Sequence, residues 1–394
     1  MSQTMAAPPL KERIHSIDLL RGLVMIIMAL DHVRDFWGPL PAQPEDMDEP
    51  GMALFLTRWI THFCAPVFVF LAGTSAWLYR SNTGCSQGEL QKFLITRGLW
   101  LVVIEVTVVN MSWGAVWQMP FSFLQVIWAI GCSMIVLGLV LPLGVRAIAV
   151  LGLLLVFGHN LLDGIASQQF GDYAILWMLV HEQNFLPILG GSWSLFIAYP
   201  LVPWIGVIML GYAFGSLITS HPNGGWFGPT FKIGLAMTML YIVLRLFGLY
   251  GDPVAWDSSG GFEAALISFL NVEKYPPSLH FLLMTIGPAL MLMPWMEGLR
   301  GKAVDMISVF GRVPFFYYVI HLPLIHATAA IYLVLRYGSA GWQFAPPQAY
   351  PPEYSQSLLV VYAAWVGVIV VLYFPCRWYA ALKRRRKDWW LSYL

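Results

Sequence analysis

Apolar residues run in stretches of about twenty along nearly the whole chain, separated by short polar or Gly/Pro-rich connections. A helix of about 20 apolar residues spans a hydrocarbon core of about 30 Å. The pattern predicts ten such helices, at 17–37, 54–79, 94–112, 122–142, 145–165, 195–219, 230–250, 278–297, 311–336 and 357–379. Two connections, 166–194 and 251–277, are longer than joining helices requires and carry the apolar patches "YAILWMLV" and "FEAALISFL". Each predicts a short re-entrant or interfacial helix beside a site. The expected fold is an all-α polytopic membrane protein: a cytoplasmic segment 1–16, a single transmembrane domain 17–380 and a basic tail 381–394.

Charge between the spans sets the orientation. With Lys11 and Arg13 in the cytoplasm, the connections on that side carry Arg80, Lys92, Arg97, Arg146, Lys232, Arg300, Lys302 and Arg312, then the tail "KRRRK". The opposite connections carry "PEDMDEPG", Asp172, Glu182, Asp252, Asp257, Glu263 and Glu353. Basic residues therefore favour one side in alternate connections, which predicts both termini in the cytoplasm. Trp and Tyr near span ends, as in "NMSWGAVWQM" and "RKDWWLSYL", read as anchors at the lipid interface.

Composition agrees with a membrane solvent: 58% of the 394 residues are hydrophobic and 11% charged, with a mean hydropathy of +0.66. A net charge of +1 with dispersed basic residues gives no groove for nucleic acid. Cys64, Cys85, Cys132 and Cys376 have neither metal-type spacing nor the look of a disulfide framework. The first apolar segment has no small-residue cleavage site, so it is expected to remain in the mature chain. A compact multispan chain of this kind suits a bacterial inner membrane, surrounded by lipid, and is compatible with a homodimer.

The ionisable residues inside apolar stretches point to chemistry. Only His15 and His221 fall on the cytoplasmic side; His32, His62, His159, His181, His280, His321 and His326 fall midway or toward the outside. Such residues are expensive in lipid and usually face a polar cavity. His159 and His326 read as structural histidines, whereas His32, beside Asp31 and Asp35, and His62, beside Arg58 and Thr61, read as site residues. In the first span Arg21 and His32 are eleven residues apart. At about 100° and 1.5 Å per residue they share one helix face, about 16 Å apart along the axis. Such a stripe suits a long molecule whose charged end sits at Arg21 and whose reactive end meets His32. A local Asp18–Arg21 ion pair is the simpler alternative.

These residues carry a resemblance. "RIHSIDLLRGLVMIIMALDH" resembles the first helix of the transmembrane acyltransferase superfamily, whose acyltransferase-3 branch bears an Arg-x10-His spacing, here Arg21 to His32. "THFCAPVFVFLAGTSAWLY", "YPLVPWIGVIMLGYAFG", "VEKYPPSLHFLLMTIGPAL" and "GRVPFFYYVIHLPLIH" resemble the heparan-α-glucosaminide N-acetyltransferase branch and its bacterial relatives. The resemblance implies an acyltransferase that moves an acyl group, acetyl in the first instance, from cytoplasmic acyl-CoA to a hydroxyl or amine acceptor, a sugar or glycan, on the outer side. Acetyl-CoA or another acyl-CoA is then the co-substrate, with no metal. The residues expected to hold CoA are Arg21, Arg13, Arg97 and Arg312, with Lys302 nearby. His32 is the expected base, oriented by Asp31 or another carboxylate, with His62 the competing base. His62, Tyr317 and His321 are expected donors to an oxyanion. Direct transfer and an acyl-histidine intermediate both fit.

Two other classes use similar features. A secondary transporter also places polar groups at mid-membrane and breaks its helices at sequences such as "YPLVPWIG" and "YPPS". A b-type cytochrome needs axial histidines facing across helices, which His32, His62, His159 and His321 supply in number.

Overall fold

The computed structural model describes residues 13–38, 51–114, 121–343, 350–351, 354, 357–386 and 388–393. Lys11, the acidic run 44–50, Trp117, Glu353 and Lys387, used above for orientation and anchoring, lie outside them.

The all-α polytopic expectation holds. Among the described residues, eight helical stretches are long and apolar enough to cross a membrane. In chain order the helices are α1 (His15–Trp37), α2 (Met52–Thr83), α3 (Gln87–Ser112), α4 (Val126–Val140), α5 (Gly144–Gly158), α6 (Ala174–Val180), α7 (Leu201–Ser220) and α8 (Phe227–Leu246). They continue with α9 (Gly261–Leu270), α10 (Leu279–Glu297), α11 (Lys302–Arg312), α12 (Pro314–Tyr337) and α13 (Leu358–Arg385). The predicted spans 122–142 and 145–165 are joined through a tight turn at Leu141–Leu143 into one stretch, Val126–Leu162. The two long connections hold the short helices α6 and α9, as their apolar patches suggest.

α1 carries too much charge to count among the eight, yet it is central: it packs against α2, α10, α11, α12 and α13. Its first turn is closed from another helix. The Glu297 carboxylate, at the end of α10, accepts the backbone N–H groups of His15 (3.0 Å) and Ser16 (2.7 Å), satisfying donors that a helix start leaves unpaired. The crossing with α11 is very close. A methyl group at Gly22 would stand 2.1 Å from the Ile307 carbonyl oxygen, and one at Gly311 1.8 Å from that of Asp18. Only glycine fits there, and the closeness brings the Gly311 carbonyl to Arg21, whose Nη1 donates to it at 3.3 Å.

A small sheet departs from the expected all-helical pattern. Its strands are β1 (Phe121–Leu124), β2 (Asn184–Ile188) and β3 (Trp193–Ile197), in the order β1-β3-β2. β1 runs parallel to β3 with Phe121 opposite Ser194, and β2 runs antiparallel with Asn184 opposite Ile197. The predicted helices 122–142 and 195–219 thus lose their first residues to strands. The cause lies in α3, which widens into a π-helical turn at Glu105–Val109. Just beyond it the Asn110 amide pairs with both backbone groups of Phe123 (Nδ2 to O 3.0 Å, Oδ1 from N 2.5 Å) and holds β1 extended. The buried Glu105 carboxylate accepts the Gln125 N–H at 3.1 Å and closes the start of α4.

A buried ion pair shapes the 251–278 connection. Arg245, on α8, donates to the carbonyls of Val254 (2.6 Å), Ser268 (2.8 Å), Phe269 (3.1 Å) and Asn271 (2.7 Å), and lies 3.5 Å from Asp252 Oδ1. Asp252 Oδ2 in turn accepts from the Glu273 N–H (3.0 Å) and the Ser278 hydroxyl (2.7 Å). This network fixes the backbone on either side of Lys274 and Tyr275.

Candidate functional site

The ionisable stripe of α1 opens on two cavities. The first, about 270 Å³, lies at the C-terminal end of α1 and is lined by Asp31, His32, Arg34 and Asp35 from that helix. Arg58, Thr61 and Cys64 from α2, Phe123 and Gln125 beside β1, Phe196 of β3, Tyr199, Lys274, Tyr275 and Tyr318 complete it. The second, about 410 Å³, lies toward the N-terminal end of α1; Arg21, Arg97 and Lys383 stand among apolar side chains such as Phe93, Leu101, Ile127 and Phe315. Phe68 lines both. A third cavity of about 410 Å³ adds Arg13 and Asp18 and shares Arg21, Ser75 and Tyr79 with the second. The three lie side by side along the α1 stripe, each sharing wall residues with the next.

At the His32 end, Arg34 Nη2 donates to Asp31 Oδ1 at 3.2 Å and to Asp35 Oδ1 at 2.8 Å. The carboxylate facing His32 is that of Asp35: its Oδ2 lies 3.7 Å from His32 Nδ1. Asp31, expected to orient the imidazole, shares Arg34 with Asp35 and makes no hydrogen bond or ion pair with the His32 ring. Helix geometry explains the exchange, since a neighbour one position away points about 100° off while one three positions on returns to the same face. The His32 ring lies 5.2 Å from that of His321 and 5.3 Å from that of Trp113. His321 is fully buried and donates from Nδ1 to the Tyr318 carbonyl at 2.6 Å, which leaves Nε2 with the lone pair and, among the described residues, no hydrogen-bond partner.

His62 is buried in a tight helical turn, Ile60–Phe63, with its ring 5.4 Å from that of Phe281 and neither ring nitrogen hydrogen-bonded to a described residue. It lines none of the cavities described here, unlike its neighbours Arg58 and Thr61. His159 lies between backbone carbonyls, with Nε2 2.8 Å from Pro277 O, and His326 Nδ1 donates to Ser112 O at 2.7 Å.

At the other end Arg21 Nη2 donates to the Ser75 hydroxyl at 2.6 Å, while its approach to Asp18 is a long 3.9 Å. Asp18 is held chiefly by Arg13, whose Nη2 lies 2.9 Å away. The Asp18–Arg21 pair is therefore the weaker contact of each residue. Arg97 lies 5.9 Å above the Phe315 ring. Arg312 ends α11 and lines none of these cavities. Among the described residues no cluster of His, Cys, Asp or Glu forms a metal site.

Three further residues line these cavities without having been singled out from the sequence: Lys274, Tyr275 and Lys383. Lys274 lies 5.1 Å from the Tyr275 ring centroid. Burial works against its ammonium, but the Tyr275 hydroxyl and the Asp31 carboxylate outweigh it, and its pKa stands above the ordinary lysine value. Burial pushes the nearby Tyr199 hydroxyl well up, so it stays a neutral donor. Lys274 had one signal in the sequence, as a lone basic residue in "VEKYPPS" immediately before a span.

The first cavity thus joins an imidazole, a facing carboxylate and cationic and phenolic donors, the parts that proton transfer and anion stabilisation need. The second joins cations to an apolar wall. No curated protein sequence matches the chain. The family model for the catalytic domain of heparan-alpha-glucosaminide N-acetyltransferase matches residues 13–244, more than half of the sequence and including the whole α1 stripe, though not Lys274, Arg312 or His321. The chain belongs to this family of membrane N-acetyltransferases.

Proposed function

We propose that the protein transfers an acyl group, acetyl first of all, from cytoplasmic acyl-CoA to a hydroxyl or amine of a sugar or glycan on the outer side of the membrane. The observation that carries this reading is that two cavities along the α1 stripe share Phe68 in their walls, with Arg21, Arg97 and Lys383 around one and His32, Asp35 and Lys274 around the other. Acyl-CoA has the matching form: phosphates at one end, a slender pantetheine arm, and a thioester at the tip. Guanidinium and ammonium groups suit the phosphates, and the apolar wall of the second cavity suits the arm. The thioester passes Phe68 and enters the reaction cavity.

There His32 takes the acceptor proton. A proton on Nδ1, facing Asp35, leaves Nε2 with the lone pair that a base requires. The basic connections that the charge pattern assigns to the cytoplasm belong to the same end as Arg13, Arg21 and Lys383, which supports entry of CoA from that side.

Arg21→Ala tests the donor half. The side chain donates to the Ser75 hydroxyl, which keeps its own bond to the Leu71 carbonyl, and to the Gly311 carbonyl near the end of α11, so folding of the variant is checked first by gel filtration. Its affinity for CoA, measured by calorimetry on purified protein, should fall by about tenfold or more, as loss of a charge-assisted bond of about 1.5–3 kcal/mol implies. Unchanged affinity would remove Arg21 from the donor path.

A further inference from the structure

We infer that Lys274 is a further catalytic residue of this site, its ammonium receiving the thioester carbonyl oxygen as that oxygen becomes an oxyanion. The inference rests on the acyl-transfer reading above. Lys274 lines the cavity that holds His32 and Asp35, whereas of the donors expected from sequence, His62, Tyr317 and His321, none does. Among the other cations lining that cavity, Arg34 is engaged by two carboxylates, and Arg58 carries the flat fork that suits a carboxylate or phosphate. A lysine ammonium is the compact point charge that suits a single developing oxyanion.

The position of Lys274 is built before any substrate arrives. The Glu273 carboxylate accepts the backbone N–H groups of Lys274 (3.1 Å) and Tyr275 (3.0 Å), Lys274 forms a backbone bridge with Pro277, and the Arg245–Asp252 pair holds both ends of the segment. A donor fixed in this way needs no reorganisation as charge appears, and that is where oxyanion stabilisation gains its strength. The raised lysine pKa keeps the ammonium charged.

The acceptor oxygen or nitrogen bonds to the thioester carbon while its proton passes to His32, and the carbonyl π pair moves onto oxygen beside Lys274. Collapse restores the carbonyl, the C–S bond breaks, and the departing CoA thiolate takes the proton from His32. Lys274 keeps its three protons throughout.

The test is turnover of acyl-CoA by the full-length protein in detergent, with water as acceptor, comparing wild type, Lys274→Met, Lys274→Ala, Lys274→Arg and Arg58→Met. The expected result is a fall in kcat of about 100- to 1,000-fold in Lys274→Met, the range for loss of one oxyanion donor, with KM for acyl-CoA and thermal stability unchanged. Partial recovery is expected in Lys274→Arg, and in Lys274→Ala on addition of methylammonium, which a merely structural lysine would not show. Near-normal kcat in folded Lys274→Met, a loss confined to KM, or a loss carried by Arg58→Met alone would overturn the assignment. Absence of acyl-CoA cleavage in the wild type would instead overturn the acyl-transfer reading on which it stands.

Discussion

His32→Ala is expected to lower turnover of acyl-CoA by at least about 100-fold, the lower bound for loss of a positioned general base, while CoA still binds. The imidazole faces the cavity, its Nδ1 lies 3.7 Å from Asp35, and its ring lies against His321 and Trp113. None of these contacts reaches Arg21, where CoA is held in the reading given above. His32→Asn should be as inactive as His32→Ala, because an amide nitrogen cannot take the proton. Asp35→Asn should cost less, since it removes only the negative charge that stands 3.7 Å from His32 Nδ1 and favours the imidazolium. His62→Ala serves as the comparison: its ring lines none of the three cavities, so it should keep most of its turnover. Initial rates at saturating acyl-CoA decide the matter, with folding checked by gel filtration. Full activity in His32→Ala and loss in His62→Ala would move the base to His62, and full activity in both would remove imidazole catalysis altogether.

The largest stability effect is expected at Arg245. Its guanidinium satisfies four backbone carbonyls and faces the buried Asp252 carboxylate. Arg245→Met would strand that carboxylate away from water, a change that typically costs about 3–5 kcal/mol. Asp252→Asn alone should cost less, because an amide still accepts from the Glu273 N–H and the Ser278 hydroxyl. Adding it to Arg245→Met removes the stranded charge, so the double variant should recover part of the loss, and the coupling between the two sites measures the pair. Thermal unfolding in one detergent gives all four values. Because the same network holds Lys274, the Arg245→Met protein should also lose turnover at temperatures where it remains folded. A melting temperature unchanged by Arg245→Met would show that the 251–278 segment is held by other means.

The long apolar helices were legible because their signal is local. The expected span 278–297 is α10, Leu279–Glu297, almost residue for residue, and 357–379 starts one residue before α13, Leu358–Arg385, and otherwise falls inside it. The sheet was not legible, because "FSFL" and "WSLFI" are short apolar runs continuous with helices and composition cannot separate the two. The first is held by the Asn110 amide, which contacts Phe123 across a gap in sequence, and the second by its pairing with β1 and β2. The α1 stripe was visible from spacing alone, and the structure adds that its two ends open on cavities sharing Phe68. The carboxylate nearest the His32 ring is that of Asp35, which the helical period places one turn on, whereas adjacency had pointed to Asp31. Lys274 and Lys383 carry no periodic signal. They reach the cavities only through the folding of segments far from α1 in sequence, and Lys383 had counted only as part of a basic tail.

Transfer across the membrane is tested most directly in sealed proteoliposomes of defined protein orientation, with CoA carrying a labelled acyl group confined to the side of the basic tail. The reading predicts that the label appears on the opposite side, as the free acid or bound to an added amino sugar, while CoA stays behind as the thiol, and that His32→Ala abolishes the appearance. Intact acyl-CoA crossing with its label would mark a transporter, and label released only on the side of addition would contradict transfer through the path from Arg21 to His32.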